Sequence, residues 1–113
     1  MSFSEIYQKI YREKGLTINR VADALGKPSY LVSRIINQHF DMKFNDFVNK
    51  YRIKEAKEKL CEVNNQYKIE ILGKEVGFSS TSTFYQAFKK EVDLTPQAFR
   101  KQTKQHQAIS IAK

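Results

Sequence analysis

The sequence contains one cysteine, Cys61, which excludes a disulfide bond within the chain. Cys61, His39 and His106 lack the spacing of metal-binding motifs, so neither a metal nor another cofactor is expected. We expect Cys61 to be a small buried residue near the end of a helix and both histidines to lie on the surface. No catalytic triad, paired-carboxylate site or phosphate-binding glycine loop is recognisable. The sequence therefore does not support an enzyme.

Glycine and proline are also scarce, with four Gly and two Pro among 113 residues. A β fold rich in turns usually needs more of both, so the composition favours an all-α fold. The length suits one compact domain, or two very small ones that share a connector. No apolar run approaches the roughly 18 residues of a membrane span, and the N-terminus MSFSEIYQKI lacks signal-peptide character. We therefore expect a cytoplasmic protein.

Positive charge is in excess, because 20 Lys and Arg residues stand against 12 Asp and Glu residues. The formal net charge is +8 and the isoelectric point is near 9.6. A positive field of this size attracts polyanions such as nucleic acid or anionic lipid. Charge alone does not distinguish these two partners.

The sequence contains an internal repeat. Residues 18–26, INRVADALG, align with residues 69–77, IEILGKEVG, and after one inserted residue 32–47 align with 84–99. Identity is low, but nearly every paired position keeps its apolar character, which indicates a duplication. Each copy predicts a helix, a tight turn and a second helix, with Gly26 and Gly77 at the turn. Gly73 lies where a small residue lets two helices approach closely.

Caps and apolar periodicity predict seven helices, near residues 4–14, 17–25, 29–40, 44–62, 68–76, 80–91 and 96–104. Thr17 and Thr95 are expected helix N-caps, and Asp41 and Asp93 are expected to adopt left-handed backbone angles. The predicted organisation is a first helix-turn-helix unit at about 4–43, a linker helix at 44–62, a second unit at 66–104 and a disordered tail at 105–113. The linker helix would span about 28 Å, close to the ~34 Å between successive major-groove faces of duplex DNA.

The second helix of each copy has a polar face beside its apolar stripe, which in the first copy is Val32, Ile35, Ile36 and Phe40. Arginine can bind guanine O6 and N7, asparagine can bind adenine, and a tyrosine ring can contact a thymine methyl group. Short hydroxyl side chains and amides at a helix start bind phosphate well. An ordinary solvated helix surface is the alternative reading. The candidate DNA-binding residues are Tyr30, Ser33, Arg34 and Asn37 in the first copy, and Thr81, Ser82, Tyr85, Gln86 and Lys89 in the second.

Two segments resemble a known family. GKEVGFSSTSTFYQAFKKEVDLTPQAFRK is similar to the second helix-turn-helix signature of AraC/XylS-type bacterial transcription regulators, in which G-F, a polar turn, F-x-x-x-F-K and T-P-x-x-[FY]-R recur. FNDFVNKYRIKEAKEKL resembles that family's connecting helix, with Arg52, Ala56 and Leu60 at its usual positions. The resemblance covers about residues 5–102.

The resemblance implies a seven-helix fold whose two recognition helices enter adjacent major-groove segments on one face of DNA. It implies double-stranded DNA as partner, with RNA polymerase and a sensing or receiver domain of a longer regulator as further partners, and no membrane. A stand-alone regulator is the alternative to such an output domain. By position, the base-reading residues would be Tyr30, Ser33 and Arg34 in the first unit, with Asn37 beside them, and Thr81, Ser82 and Gln86 in the second.

The chain departs from the family pattern at three positions. Pro28 stands where a capping serine is usual, Asp41 replaces a common glycine, and Gln86 stands where arginine is frequent. Glutamine offers weaker guanine recognition than arginine. We therefore expect the first unit to dominate sequence specificity.

Two other classes of function use the same features. A helical protein-interaction adaptor would present an uncovered apolar patch, whereas Ser, Thr, Gln and Arg line the exposed faces here. A protein of anionic membrane surfaces would need basic residues flanking one apolar face of a continuous helix, which the Lys-rich stretch 50–59 satisfies only in part.

Overall fold

The computed structural model describes residues 10–62 and 68–112, with side chains as far as Lys104. Within these ranges all regular structure is helical, which confirms the predicted all-α class. No helix there is long and apolar enough to cross a bilayer, and no cluster of His, Cys, Asp or Glu there could hold a metal ion. The helices are α1 (Ile18–Leu25), α2 (Ser29–Phe40), α3 (Phe44–Leu60), α4 (Ile69–Glu75), α5 (Thr81–Val92) and α6 (Pro96–Ala112).

The described residues contain six helices, so the prediction of seven is wrong for this part of the chain. Residues 4–9 of the first predicted helix lie outside the described residues, as do residues 66 and 67 of the second unit. Ile10 is helical, but 11–15 form turns. The carbonyl oxygens of Tyr11 and Glu13 accept hydrogen bonds from the Arg52 side chain, and Gly15 has a left-handed φ of 66°. These features end the helix before residue 14.

The last helix is longer than predicted. α6 continues through Ala112, whereas the predicted helix ends near 104 and the predicted disordered tail is 105–113. The segment 105–112 contains neither Gly nor Pro, so no residue in it breaks a helix. The side chain of His106 lies outside the described part of the chain.

The two repeat copies share the same turn. In the first, the amides of Gly26 and Lys27 donate to carbonyl oxygens of the preceding helical turn at 3.2 and 3.0 Å. In the second, the amides of Gly77 and Phe78 make the equivalent bonds at 3.1 and 3.0 Å. Paired bonds of this kind close a helix when the first residue has positive φ, and Gly26 and Gly77 have φ of 67° and 115°. The predicted helix, tight turn and helix are therefore present twice.

The second helices also end alike. Asp41 and Asp93 have φ of 52° and 64°, as predicted, and their amides donate to the carbonyl oxygens four residues earlier at 3.1 and 2.8 Å. The starts differ, because Pro28 precedes α2 without a side-chain cap whereas the Ser80 hydroxyl accepts a bond from the amide of Thr83. The unusual proline thus removes a cap without displacing the helix, which begins at Ser29 as predicted.

The structure has two hydrophobic cores that share α3. Phe47 and Val48, in the first half of α3, belong to the core of the first unit. Ile53, Ala56 and Leu60, in the second half, belong to the core of the second unit. Burying a side chain such as Phe or Leu contributes about 1.5–3 kcal/mol. Separation of the units would therefore expose apolar residues of α3 on one side or the other.

Two burial assignments, those of Phe40 and Cys61, need correction. Val32 and Ile36 are fully buried as predicted, but Phe40 is 42% exposed, with its ring 4.7 Å from that of Phe47. Phe40 is the last residue of α2, where the helix leaves the core. Cys61 is partly buried, not fully buried, because it follows the last residue of α3. His39 is exposed, as expected.

Gly73 brings α4 and α5 together. A Cβ atom at this position would lie 2.6 Å from Cδ2 and 3.1 Å from Cβ of Phe84, and Phe84 is completely buried. No side chain fits between the helices, as the sequence analysis expected.

Gly73→Ala should lower the free energy of unfolding by about 1–3 kcal/mol, because the added methyl group overpacks the core against Phe84. Helix propensity alone predicts the opposite sign, a gain of up to about 1 kcal/mol. Urea unfolding followed by circular dichroism measures the difference. The exposed neighbour gives a control, since Lys74→Ala should change stability by less than about 0.5 kcal/mol. A stabilised Gly73→Ala protein would contradict the close approach.

Candidate nucleic-acid interface

The polar face of α2 is open to solvent. Tyr30, Arg34 and Asn37 are exposed, while Val32 and Ile36 are buried on another side of the same helix. Tyr30 is 67% exposed, which is unusual for a large aromatic residue in a folded protein. The structure therefore places these three predicted residues together on one surface, with an aromatic ring, a guanidinium group and an amide side by side.

Arg34 and Tyr30 contact each other within this face. The guanidinium carbon of Arg34 lies 6.0 Å from the centre of the Tyr30 ring, at the outer limit of a cation–π interaction. At an exposed site such a contact contributes about 0.5–1 kcal/mol and limits the freedom of both side chains. Ser33, the fourth predicted residue, is partly buried beside them.

The equivalent face of α5 is more recessed. Ser82, Gln86 and Lys89 are exposed, whereas Thr81 and Tyr85 are partly buried. The buried side of α5 consists of Phe84, Ala87 and Phe88. None of the five predicted residues of the second copy is fully buried, although Tyr85 packs against the edge of the core.

Gln97 is a residue of this surface that sequence reasoning missed. Its side-chain amide donates a hydrogen bond to the hydroxyl of Tyr85, and the Tyr85 ring lies edge-on to Phe84 at 6.1 Å. Gln97 follows Pro96 in the first turn of α6, whose N-cap is Thr95 as predicted. Tyr85 is thus held from the neighbouring helix, so α6 shapes the polar face of α5.

The start of α5 presents a cluster of hydroxyl groups. Oγ of Ser80 accepts a hydrogen bond from the amide of Thr83 at 3.2 Å and lies 2.9 Å from Oγ1 of Thr83. Ser79 is exposed and does not cap the helix. No acidic residue occupies the first turn, so the positive end of the helix dipole is not neutralised locally.

The four basic residues Lys89, Lys90, Arg100 and Lys101 of α5 and α6 differ in availability. Nζ of Lys90 lies 3.2 Å from a carboxylate oxygen of Asp46 in the first turn of α3, so Lys90 already has an acidic partner. Lys89 and Lys101 are exposed, and Arg100 is partly buried. The exposed Lys90–Asp46 pair contributes at most about 1 kcal/mol, but it does connect the second recognition helix to the first turn of α3.

A buried arginine lies between the two units. Arg52 of α3 is 8% exposed, and its side chain donates hydrogen bonds to the carbonyl oxygens of Tyr11 and Glu13 at 2.8 and 2.7 Å. The guanidinium carbon lies 5.4 Å from the centre of the Phe78 ring in the second unit. From the sequence, Arg52 was recognisable only as a match to a family pattern, and none of these contacts was predicted.

Glu55 lies one turn further along α3 and is also buried. Its carboxylate accepts hydrogen bonds from the Tyr11 hydroxyl at 3.1 Å and from the guanidinium group of Arg12. Burial, and then the nearby Glu55 carboxylate, raise the pKa of Tyr11, so its hydroxyl stays protonated at neutral pH. Hydrogen bonding to Glu55 raises the pKa of Arg12. The available sequence signal was that two ionisable residues, Arg52 and Glu55, lie among the apolar positions near the middle of a long helix.

The chain matches known proteins over most of its length. A family model described as a helix-turn-helix domain matches residues 21–102. The chain belongs to the AraC-type helix-turn-helix family of DNA-binding transcription regulators. This family is a class of DNA-binding regulators and not a class of enzymes.

Two curated proteins are similar in sequence. The regulatory protein PocR of Salmonella typhimurium is 32% identical over 87 residues, which cover 77% of this chain and 28% of PocR. The probable transcription factor PqrA of Proteus vulgaris is 30% identical over 92 residues, which cover 81% of this chain and 74% of PqrA. The chain thus spans just over a quarter of one relative and about three quarters of the other.

Two solved structures of the AraC-type fold are similar. The C-terminal domain of AraT, a response regulator from Geobacillus stearothermophilus, has a TM-score of 0.78 and 27% identity, covering 88% of this chain and 81% of that domain. The DNA-binding domain of AdpA, solved in complex with a target DNA, has a TM-score of 0.79 and 14% identity, covering 92% and 94%. The AdpA similarity concerns the fold alone.

Ser80→Ala should destabilise the protein by about 0.5–2 kcal/mol, because the amide of Thr83 loses its hydrogen-bond acceptor. Thermal unfolding measured by circular dichroism detects this change. Ser79→Ala is a matched control of the same size on the neighbouring residue, and it should leave the unfolding temperature unchanged. Equal effects of the two substitutions would show that Ser80 is not the cap.

Proposed function

We propose that this domain binds a specific double-stranded DNA site by placing α2 and α5 in adjacent major-groove segments. The observation that carries the proposal is a repeated geometry, in which each second helix buries an apolar side and exposes polar side chains suited to base edges or phosphates. A net charge of +8 supplies the long-range attraction to DNA. The fold similarity to AdpA, which was solved with a target DNA, supports the same partner.

The α2 face is the stronger reader. Arg34 presents a planar donor pair that suits guanine O6 and N7, and Asn37, one turn further, suits adenine. The exposed ring of Tyr30 can contact a thymine methyl group or a sugar, with Ser33 beside it. We propose that these four side chains determine most of the sequence preference.

The α5 face is suited to the DNA backbone as much as to bases. Thr81 and Ser82 lie at the positive end of the helix, where hydroxyl and amide groups bind phosphate oxygens. Tyr85 is fixed by Gln97, which leaves Gln86 as the more exposed base reader. We propose that Lys89, at the far end of the face, neutralises a phosphate.

The linker helix supports simultaneous binding by both units. α3 has 17 residues, which corresponds to about 25 Å, and neighbouring major-groove faces lie ~34 Å apart. Because α3 is packed into both cores, each half of this single helix is fixed to one unit. The two units are therefore held at a set distance along α3. This arrangement suits an asymmetric site of about two major-groove turns.

The proposed biological role is transcription regulation as the output domain of a longer bacterial regulator. This chain corresponds to only 28% of PocR, and AraT is described as a response regulator, so a sensing or receiver domain is a reasonable further partner in the complete protein. RNA polymerase is proposed as a second partner. A regulator of bacterial genes would act in the cytoplasm, and no enzymatic step belongs to this proposal.

The adaptor alternative gains little support from the described surface. The exposed large hydrophobic residues there are Tyr30, Phe40 and Ile71. Tyr30 and Phe40 lie at opposite ends of α2, and Ile71 lies on α4. An apolar docking patch would require such residues along one helix face. These three are distributed over the surface instead.

Selection from a random DNA library, followed by footprinting on the selected sequence, tests the proposal directly. We expect an asymmetric site with two protected major-groove segments about one helical turn apart. Protection of a single segment would contradict the use of both helices, and the absence of any selected sequence would contradict specific binding.

Arg34→Ala should weaken binding to the selected site by about 1–3 kcal/mol and relax the preference at one base pair, because a bidentate guanine contact is lost. Fluorescence anisotropy with the selected site, its single-base variants and random DNA measures both effects. Gln38→Ala is the control, since Gln38 is exposed on α2 but lies outside the predicted set. If specific and random DNA lose affinity equally, Arg34 binds a phosphate and reads no base.

Lys89→Ala should weaken binding to all DNA sequences alike, because Lys89 is assigned to a phosphate. The slope of the logarithm of the affinity against the logarithm of salt concentration should fall by about one unit. Affinities measured at four or more salt concentrations give the slope. Lys57→Ala, an exposed lysine of α3 outside both polar faces, should leave it unchanged. An unaltered slope in Lys89→Ala would refute the phosphate contact.

A further inference from the structure

We propose that Arg52 is a positioning residue that fixes the orientation of the two helix-turn-helix units relative to each other, and thereby sets the spacing between the two DNA segments they bind. The inference rests on the proposed function, because it concerns the geometry of a two-part DNA site. Arg52 itself is buried and would not touch DNA.

Arg52 lies where the two cores meet. Val48, one turn earlier in α3, belongs to the core of the first unit, and Ile53, the next residue, belongs to the core of the second. A buried charge at this point is costly unless hydrogen bonds satisfy it. If this position only joined two apolar cores, leucine would cost less free energy to bury than arginine. The contacts of the guanidinium group therefore explain why arginine stands here.

Those contacts reach both units at once. We call the region where Arg52, the turn at 11–13 and Gly77 meet the joint. The guanidinium group donates to the carbonyl oxygens of Tyr11 and Glu13, in the N-terminal turn of the first unit, and lies over the ring of Phe78 in the second unit. A planar fork with several donors and a flat face can make all three contacts together. Lysine has one compact ammonium group, so it cannot bond both carbonyl groups with the same geometry and stack on the ring.

The backbone of the second unit closes the joint from the other side. A Cβ atom on Gly77 would lie 2.7 Å from Nε of Arg52 and 2.9 Å from the carbonyl oxygen of Arg12. Gly77 also has a φ of 115°, which other residues rarely adopt. The turn of the second unit therefore contacts the N-terminal turn directly, with no room for a side chain between them.

Glu55 ties the same N-terminal turn to α3 a second time. Its carboxylate binds Tyr11 and Arg12, while Arg52 binds the carbonyl groups of Tyr11 and Glu13. The turn at 11–13 is therefore bound to α3 through both its side chains and its backbone. It lies between α3 and Gly77, and we call it the wedge. A wedge held in this way resists rotation of one unit against the other.

Such a joint has a measurable consequence on DNA. Adding one base pair between the two bound segments moves them apart by about 3.4 Å and rotates them by about 35°. A protein with a fixed joint cannot follow this change and loses the contribution of one unit. A protein with a loosened joint can follow it, although each unit still reads its own segment.

The test compares affinities for a set of DNA duplexes based on the selected two-part site. The set contains the selected spacing, spacings one or two base pairs longer or shorter, and each half alone. For the wild-type protein we expect at least a tenfold loss on a change of one base pair. For Arg52→Lys we expect less than a threefold loss, with half-site affinities within twofold of the wild type. Gly77→Ala also crowds the contact between the units and should show the same weak spacing dependence. Its affinities are compared only with its own affinity for the selected spacing, because the substitution also strains the turn of the second unit.

Arg20→Ala is the matched control. It removes the exposed ion pair between Arg20 and the Glu13 carboxylate, at 3.0 Å, but leaves the bond from Arg52 to the Glu13 carbonyl group. The spacing dependence of this variant should equal that of the wild type. A loss of stability alone would reduce the active fraction of a variant equally for every duplex, so it cannot imitate a change in spacing preference.

The outcomes separate the inference from the proposed function. If the wild-type protein selects no two-part site, the proposed function fails. If it binds such a site and a folded Arg52→Lys protein keeps the wild-type spacing dependence, the positioning role is overturned and the function stands. Circular dichroism shows whether each variant is folded. If Arg52→Lys is unfolded, the spacing dependence of Gly77→Ala decides whether the inference stands. If both are unfolded, these residues serve folding itself and the inference is rejected.

Discussion

The architecture depends on one continuous helix that completes two hydrophobic cores. Phe47 and Val48 belong to the first core and Ile53, Ala56 and Leu60 to the second, so neither unit has a complete core without α3. Two units of this size would each be marginally stable alone, since small domains bury a limited share of their surface. Sharing one helix stabilises both units and also keeps them from separating.

The parts of the fold that were predictable are those encoded locally. Thr17 caps α1, Gly26 closes it, and Asp93 ends α5, each through bonds to residues within one or two helical turns. Signals of this kind depend on the chemistry of a few consecutive residues, so caps and turns could be located without a structure. The polar face of α2 followed from the same reasoning, because helical periodicity alone separates Arg34 from Ile36.

The features that sequence reasoning missed depend on residues far apart in the chain. The buried contacts of Arg52 and Glu55 join α3 to a turn about forty positions earlier, and no local pattern reveals which turn that is. The hydrogen bond between Tyr85 and Gln97 likewise depends on how two helices pack. The exposure of Phe40 shows the same limit, since periodicity marks an apolar residue but not the point where its helix leaves the core.

The missing cap at Pro28 makes the first turns of α2 and α5 unequal in their hydrogen bonding. α5 has the Ser80 hydroxyl bond to hold its first turn, whereas α2 has no side-chain cap at all. A cap contributes about 1 kcal/mol, which corresponds to roughly a fivefold difference in how often a first turn opens. The first turn of α2, which carries the proposed contact residue Tyr30, therefore lacks a stabilising bond that the first turn of α5 has.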